Sequence, residues 1–159
     1  MSDENLFGRI FQVNISRGGV PKLAVQQAEV TQLGIVGDLQ RDREHHGGVE
    51  RAVCIYSLEL LQSLQEEGHM VFPGAIGENI TLSGIPWEEV TPGRRIRLGD
   101  QVEVEVTRYT IPCNNLTDYF STGDYGRVSP TKNPGWSRVY ARVIKTGWIK
   151  TAQTVELFK

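Results

Sequence analysis

Glycine and proline recur at short intervals along the whole sequence, and this spacing limits how long any helix or strand can run. The chain of 159 residues contains 17 glycines and 7 prolines. Glycine supplies turn conformations, and proline interrupts both helices and sheet ladders. The pattern therefore favours many short strands joined by turns over long helices.

Alternation of apolar and polar residues marks individual strands. Phe11, Val13 and Ile15 alternate with polar side chains, which predicts a strand with these three residues on one face. The clearest hairpin joins Arg95–Leu98 to a strand over Gln101–Thr107 through a glycine-containing turn. In that second strand valines alternate with charged residues, so one face belongs to the core and the other to solvent.

Other segments complete a mainly β pattern. Ala52–Tyr56 is apolar throughout, as in a strand covered on both faces. Ser57 can cap a leucine-rich helix that runs to Glu67. A last pair of strands is predicted at Ser137–Lys145 and Thr154–Phe158. Seven to nine short strands with one or two short helices indicate a closed or nearly closed β-barrel, and the length fits one domain over residues 1–159.

Charge and hydropathy exclude several classes of protein. The 17 basic and 19 acidic residues give a net charge of −2, so no global field attracts a nucleic acid. No apolar run approaches the roughly 18 residues of a membrane span, and the acidic, polar start of the sequence lacks the apolar stretch of a signal peptide. We therefore expect a cytoplasmic protein that binds neither nucleic acid nor membrane, with Cys54 and Cys113 as reduced thiols.

Cys113 is the candidate for chemistry. It follows Pro112 just beyond a predicted strand and precedes Asn114-Asn115, a stretch that could start a short helix. A helix N-terminus and the nearby Arg108 would both stabilise a thiolate. The alternative is a small buried residue at a barrel rim, and that structural interpretation is the one we adopt for Cys54 in its apolar strand.

Two polar patches are candidates for ligand binding. His46, Gly47, Gly48 and Arg51 would bring backbone N–H groups and a guanidinium to an anion, or would form a tight turn with a solvated arginine. Glu78-Asn79 could hold a ligand or could hydrogen-bond neighbouring backbone. No Walker loop, dinucleotide fingerprint or serine-hydrolase elbow occurs in the sequence.

Taken together and in order, these patches resemble the MOSC family, named after the C-terminal domain of molybdenum cofactor sulfurase. The resemblance extends from about Gly19 to Leu157. The matching stretches are Gly34-Ile-Val-Gly-Asp-Leu-Gln, His46-Gly-Gly-Val-Glu-Arg-Ala-Val, Pro73-Gly, Gly77-Glu-Asn-Ile-Thr, Gly99-Asp100, Val106-Thr107 leading to Pro112-Cys113, and Tyr140-Ala-Arg-Val with Gly147.

The resemblance implies a β-barrel and either a pterin-dithiolene molybdenum cofactor or a sulfur-transfer role, with Cys113 as the key residue. A thiolate is a soft ligand suited to molybdenum and can equally carry a persulfide. Lys22, Arg51, Arg108 and the Gly47-Gly48 turn would contact the phosphate tail of the cofactor. His46, Glu78 and Asn79 are further candidate cofactor-binding residues. Thr110 and Asn115 stand where related proteins often have arginine and lysine.

Three functions follow as hypotheses. In the first, Cys113 ligates molybdenum and the protein reduces N-hydroxylated compounds with electrons from a separate reductase, because the chain has no flavin or iron–sulfur motif. In the second, Cys113 carries a persulfide supplied by a pyridoxal-phosphate-dependent cysteine desulfurase. In the third, the barrel is a non-catalytic module that binds another protein. The cysteine and the two polar patches together favour the first.

Overall fold

The computed structural model describes residues 4–39 and 48–159 and confirms a mainly β fold. One α-helix, α1 (Leu58–Glu66), accompanies eleven strands in these residues. The strands are β1 (Leu6–Ile15), β2 (Leu23–Val25), β3 (Gln27–Thr31), β4 (Gly34–Ile35), β5 (Val53–Ser57), β6 (Ile80–Ser83), β7 (Arg95–Leu98), β8 (Val102–Tyr109), β9 (Val139–Lys145), β10 (Gly147–Lys150) and β11 (Thr154–Leu157). Short 3₁₀ helices lie at Val49–Arg51, Trp87–Glu89, Asn114–Tyr119, Ser121–Gly123 and Tyr125–Val128.

Seven of the strands close into a barrel, as the sequence predicts. Their order is β1-β11-β7-β8-β9-β5-β6, and β6 returns to β1. The β5–β6 pair is parallel, and parallel neighbours need a crossover, which α1 supplies. β2 extends the barrel beside β1, while β10, β3 and β4 form a small second sheet.

Local signals place the hairpin and the helix correctly. β7 and β8 pair from Leu98 opposite Val102 to Arg95 opposite Glu105. The Ser57 side chain caps α1 by accepting a hydrogen bond from the backbone N–H of Leu60 at 3.2 Å. Both features depend on residues close together in the sequence.

The prediction that Phe11, Val13 and Ile15 share one face of β1 is wrong at Phe11. Phe11 is 43% exposed, whereas Ile10 and Val13 are fully buried. The pairing of β1 with β6 shifts between Ile10 and Gln12. This bulge inserts one residue, so the side chains on either side of it no longer alternate in phase.

The predicted last pair of strands also needs correction. β9 and β11 are both strands, but β9 lies between β5 and β8, while β11 lies between β7 and β1. The intervening β10 leaves the barrel to pair with β3. The barrel interior is filled mainly by isoleucine, leucine and valine from all seven strands. None of the helices in residues 4–39 and 48–159 is long and apolar enough to cross a membrane.

Candidate functional site

A cavity of about 370 Å³ opens beside Cys113. It lies where the segments after β1 and β8 meet the start of β5, the start of β9 and the loop before β6. Its lining comprises Gly19, Val20, Lys22, Leu39, Cys54, Ile76, Gly77, Asn79, Cys113, Asn115, Leu116, Arg138 and Tyr140. The two cysteines, 59 positions apart in sequence, therefore share one cavity.

Cys113 lies at the exposed side of this cavity. It has extended backbone and directly precedes the 3₁₀ helix Asn114–Tyr119, the short helix that the sequence predicts there. Its side chain is partly exposed, and the Sγ–H donates to Oδ1 of Asn115 at 2.6 Å. The thiol is thus both reachable from solvent and held in place by a neighbour.

Cys54 is buried in β5, as its apolar context predicts, with 6% of its surface exposed. Its Sγ lies 3.8 Å from the hydroxyl oxygen of Thr110. Burial raises the pKa of the Cys54 thiol above its ordinary value, and the nearby Arg138 opposes this effect. Cys54 therefore stays a neutral thiol at neutral pH.

Lys22, a predicted phosphate contact, is buried in an ion pair. Its ammonium donates to both carboxylate oxygens of Asp38 at 2.7 and 2.8 Å. The Asn79 amide nitrogen donates to the same carboxylate at 2.9 Å. Because Asp38 offsets the charge of Lys22, this lysine brings little net positive charge to the cavity.

Glu78 and Arg138 lie buried next to the cavity, and each has a polar atom with no hydrogen-bond partner within residues 4–39 and 48–159. Arg138 donates from Nη1 to the Ile76 carbonyl at 2.6 Å, while its Nε has no hydrogen-bond partner. The Thr81 hydroxyl donates to one carboxylate oxygen of Glu78 at 3.1 Å, and the other oxygen has no partner. Burial raises the pKa of Glu78 to about 7, and neighbouring backbone amides, Thr81 and Arg138 limit the rise.

The remaining predicted site residues lie at varied distances from the cavity. The Arg51 guanidinium stands 5.9 Å from the ring centre of Tyr140, which lines the cavity. Gly48 is exposed and borders a separate depression formed with β4. Arg108 is exposed at the end of β8 and is not among the lining residues. His46 and Gly47 lie outside the described residues.

Sequence reasoning missed Asp38, Arg138 and Tyr140 as parts of this site. A signal existed for two of them, since Asp38 and Tyr140 belong to the stretches that resemble the MOSC family. Arg138 had only a weak signal, a charged residue just before an apolar strand. No group of three or more histidine, cysteine or acidic side chains that could hold a metal ion occurs in residues 4–39 and 48–159.

Comparison with known proteins places the chain in a family. The model of the family described as "MOSC domain" matches residues 42–156. The chain belongs to the MOSC domain family. Its relatives include YflK of Bacillus subtilis, an uncharacterized protein that is 32% identical over 122 residues, or 76% of this chain. A protein of Gibberella moniliformis named "Reductase" is 32% identical over 131 residues, or 79% of this chain.

This MOSC domain chain spans 54% of YflK and 23% of the reductase, so it corresponds to part of each relative. Among solved structures, YiiM from Geobacillus stearothermophilus has the same fold, with a TM-score of 0.76 and 24% identity. That match covers 96% of this chain and 75% of the YiiM chain. The barrel is therefore the fold of known MOSC proteins.

Proposed function

We propose that this MOSC domain binds a pterin-dithiolene molybdenum cofactor in the Cys113 cavity, with the Cys113 thiolate as a ligand to molybdenum. We further propose that the protein reduces N-hydroxylated compounds with electrons from a separate reductase. The observation that carries the proposal is the position of Cys113, a partly exposed thiol at a cavity that also contains a buried arginine.

The residues present fit such a cofactor. The cavity volume lies within the range of about 300–1,000 Å³ that is typical of small-molecule sites. Thiolate sulfur is a soft donor suited to molybdenum. Arg138 lines the cavity, and its Nε has no partner among the described residues; an acceptor oxygen of a pterin or phosphate group is the kind of partner that such a buried donor requires.

The protein's own groups have definite tasks in this proposal. When bound, the cofactor supplies a metal that exchanges electrons and oxygen with a substrate. Cys113 would hold the metal as a thiolate, and the Asn115 carboxamide, whose oxygen accepts from the thiol in this structure, would then present its N–H₂ to the sulfur. Tyr140, Leu116 and Leu39 give the cavity a partly apolar lining.

The proposed reaction requires a partner. Reduction of an N–OH group breaks the N–O bond, consumes two electrons and two protons, and gives the N–H compound and water. In this proposal the electrons come from a separate reductase, because the residues of the given sequence contain no flavin or iron–sulfur motif. The relative named "Reductase", of which this chain matches 23%, supports a redox role for MOSC domains of this type.

The test is Cys113→Ser, expressed in a host that makes the molybdenum cofactor. We expect molybdenum content to fall at least about tenfold, because a hydroxyl is a poor ligand for this metal. Melting temperature should change little, since Cys113 is partly exposed. Molybdenum analysis and thermal melts measure the two effects.

Cys54→Ser is the matched control, because it alters the other cysteine of the same cavity. It should lower stability while molybdenum stays bound, since it places a hydroxyl in a buried strand. A Cys113→Ser protein with normal molybdenum content would reject the ligand assignment. A wild-type protein that binds no molybdenum but gains the mass of one sulfur atom from a cysteine desulfurase would show the carrier function instead.

A further inference from the structure

Among the residues that the structure describes, the Cys113 cavity contains a buried cation that forms no ion pair with a carboxylate. Lys22 and Arg138 are the basic residues of the lining, and Asp38 pairs with Lys22. Arg138 is only 5% exposed. Within the described residues its side chain makes one hydrogen bond, to the neutral carbonyl of Ile76, and its Nε has no partner.

This arrangement is costly unless an anion joins it. A guanidinium removed from water loses several kcal/mol of hydration energy, which anionic partners normally restore. Arginine presents its N–H groups as a planar fork that matches the oxygens of phosphate and carboxylate. Because Arg138 lines the cavity, an anionic group of a ligand can reach it there.

Glu78 is the acidic group coupled to Arg138 from inside the fold. It is fully buried, and its Oε1 has no partner. The Thr81 hydroxyl donates to this carboxyl. The other groups that interact with its charge are the thiol of Cys54, the phenol of Tyr56 and the guanidinium of Arg138. Since Cys54 and Tyr56 are neutral thiol and phenol at neutral pH, the charge near Arg138 depends on the protonation of Glu78.

We propose that Arg138 binds an oxyanion group of a ligand inside the Cys113 cavity, and that Glu78 takes up a proton when this anion binds. An ionised Glu78 repels the incoming anion, whereas a protonated Glu78 leaves the arginine charge available. The ligand class is a phosphate or carboxylate. The phosphate or carboxylate that binds Arg138 belongs either to the tail of the cofactor or to an anionic substrate. Only this choice rests on the proposed function.

The experiment is calorimetric titration of the full chain, purified with and without cofactor, using sulfate as the probe between pH 6 and pH 8.5. Sulfate keeps a constant charge over this range, so any pH dependence belongs to the protein. We expect Kd for sulfate to rise by about tenfold per pH unit above pH 7, because in this range the protein takes up one proton from solution for each anion that it binds. Glu78→Gln should bind sulfate with an affinity that does not change with pH.

Arg138→Gln should weaken sulfate binding at pH 6 by about tenfold or more, the usual effect of losing a charge-assisted hydrogen bond. Arg142→Gln is the matched control, since Arg142 lies on β9, which begins directly after Arg138, and is not among the lining residues of the cavity. Its guanidinium donates to Glu105 at 2.9 Å. Arg142→Gln should bind sulfate as the wild type does. Arg138→Lys keeps the charge without the fork, and it should bind with intermediate affinity even if the glutamine variant fails to fold.

Wild-type affinity in both Arg138 variants, or the same pH profile in Glu78→Gln as in the wild type, would overturn the proposal. Loss of sulfate binding on cofactor loading assigns the anion site to the cofactor tail, and retained binding assigns it to a substrate. A chain that binds sulfate through Arg138 but never takes up molybdenum would contradict the proposed function and leave the anion site standing.

Discussion

Asn79 connects three segments at the base of the cavity. Its amide nitrogen donates to Asp38 at 2.9 Å and to the Asn14 carbonyl at 3.3 Å. Its side-chain oxygen accepts from the backbone N–H of Cys54 at 3.0 Å. Both amide hydrogens are therefore engaged within the protein, and Asn79 positions the Lys22–Asp38 pair. A hydrogen bond from the Asn79 amide to a ligand would require one of these contacts to break.

Replacing Asn79 by aspartate tests this structural role. Asn79→Asp removes two donors and places a second carboxylate against Asp38 inside the fold. We expect the free energy of unfolding to fall by about 3 kcal/mol, from unpartnered polar atoms and like-charge repulsion. Urea denaturation measures the loss. The exposed Asn114→Asp should stay within about 0.5 kcal/mol of the wild type, and equal stability of the two variants would contradict the role.

At the scale of elements, segments governed by local chemistry were predictable and those governed by distant partners were not. The β7–β8 hairpin follows from the alternation of its own residues and its glycine turn. The bulge in β1 at Ile10–Gln12 depends on pairing with β6, about 70 residues later, so no pattern within β1 could show it. The separation of β9 from β11 likewise depends on the closure of the barrel.

The same distinction applies to the candidate site. Cys113 could be singled out because its residue type and its place after a strand are local features. Arg138 could not, because its importance comes from Ile76 and Glu78, which lie about 60 residues away and reach it only in the folded chain. Lys22 could be identified as a cation, but its neutralisation by Asp38 is a property of the fold.

The loop after β8, which carries Cys113, forms an ion pair and hydrogen bonds with the segment that follows α1. Arg127 donates to both carboxylate oxygens of Glu67, at 2.9 and 2.8 Å, and its guanidinium stacks 3.9 Å from the ring centre of Trp136. The pKa of Glu67 is lowered, mainly by this arginine. His69 adds a bond by accepting from the backbone N–H of Ser121 at 3.1 Å.

Arg127→Ala should loosen this loop while the barrel stays intact. Because the pair is partly exposed, we expect a local cost of about 1 kcal/mol, and amide hydrogens in residues 114–136 should exchange about fivefold faster. Hydrogen exchange with mass spectrometry measures the effect. Arg142→Ala, which removes an ion pair on the barrel wall, should not change exchange in this loop. Unchanged exchange in the Arg127 variant would show that the loop is held by other contacts.

At the scale of the whole molecule, barrel closure creates the cavity. Cys54 on β5, Tyr140 on β9 and Asn79 just before β6 come together because these three strands are neighbours in the closed sheet. The same closure buries Glu78, and this burial raises the pKa of its carboxyl to about 7 in the folded protein. The stability of the whole fold is therefore linked to the protonation of this one side chain.

Glu78 should make the protein less stable as pH rises. Below about pH 4.5 the carboxyl is protonated in both states; between pH 4.5 and about 7 the unfolded chain releases the proton while the folded protein keeps it. The free energy of unfolding therefore decreases across this interval, by about 3 kcal/mol in total, and the loss persists above pH 7.

Glu78→Gln removes this contribution, because its amide does not titrate and can turn its N–H₂ toward the unpartnered side. Urea denaturation at pH 4.5 and pH 8 measures the free energy of unfolding of both proteins. The free energy of unfolding of Glu78→Gln minus that of the wild type should be about 3 kcal/mol larger at pH 8 than at pH 4.5. A difference that is the same at both pH values would mean that Glu78 titrates normally in the folded protein.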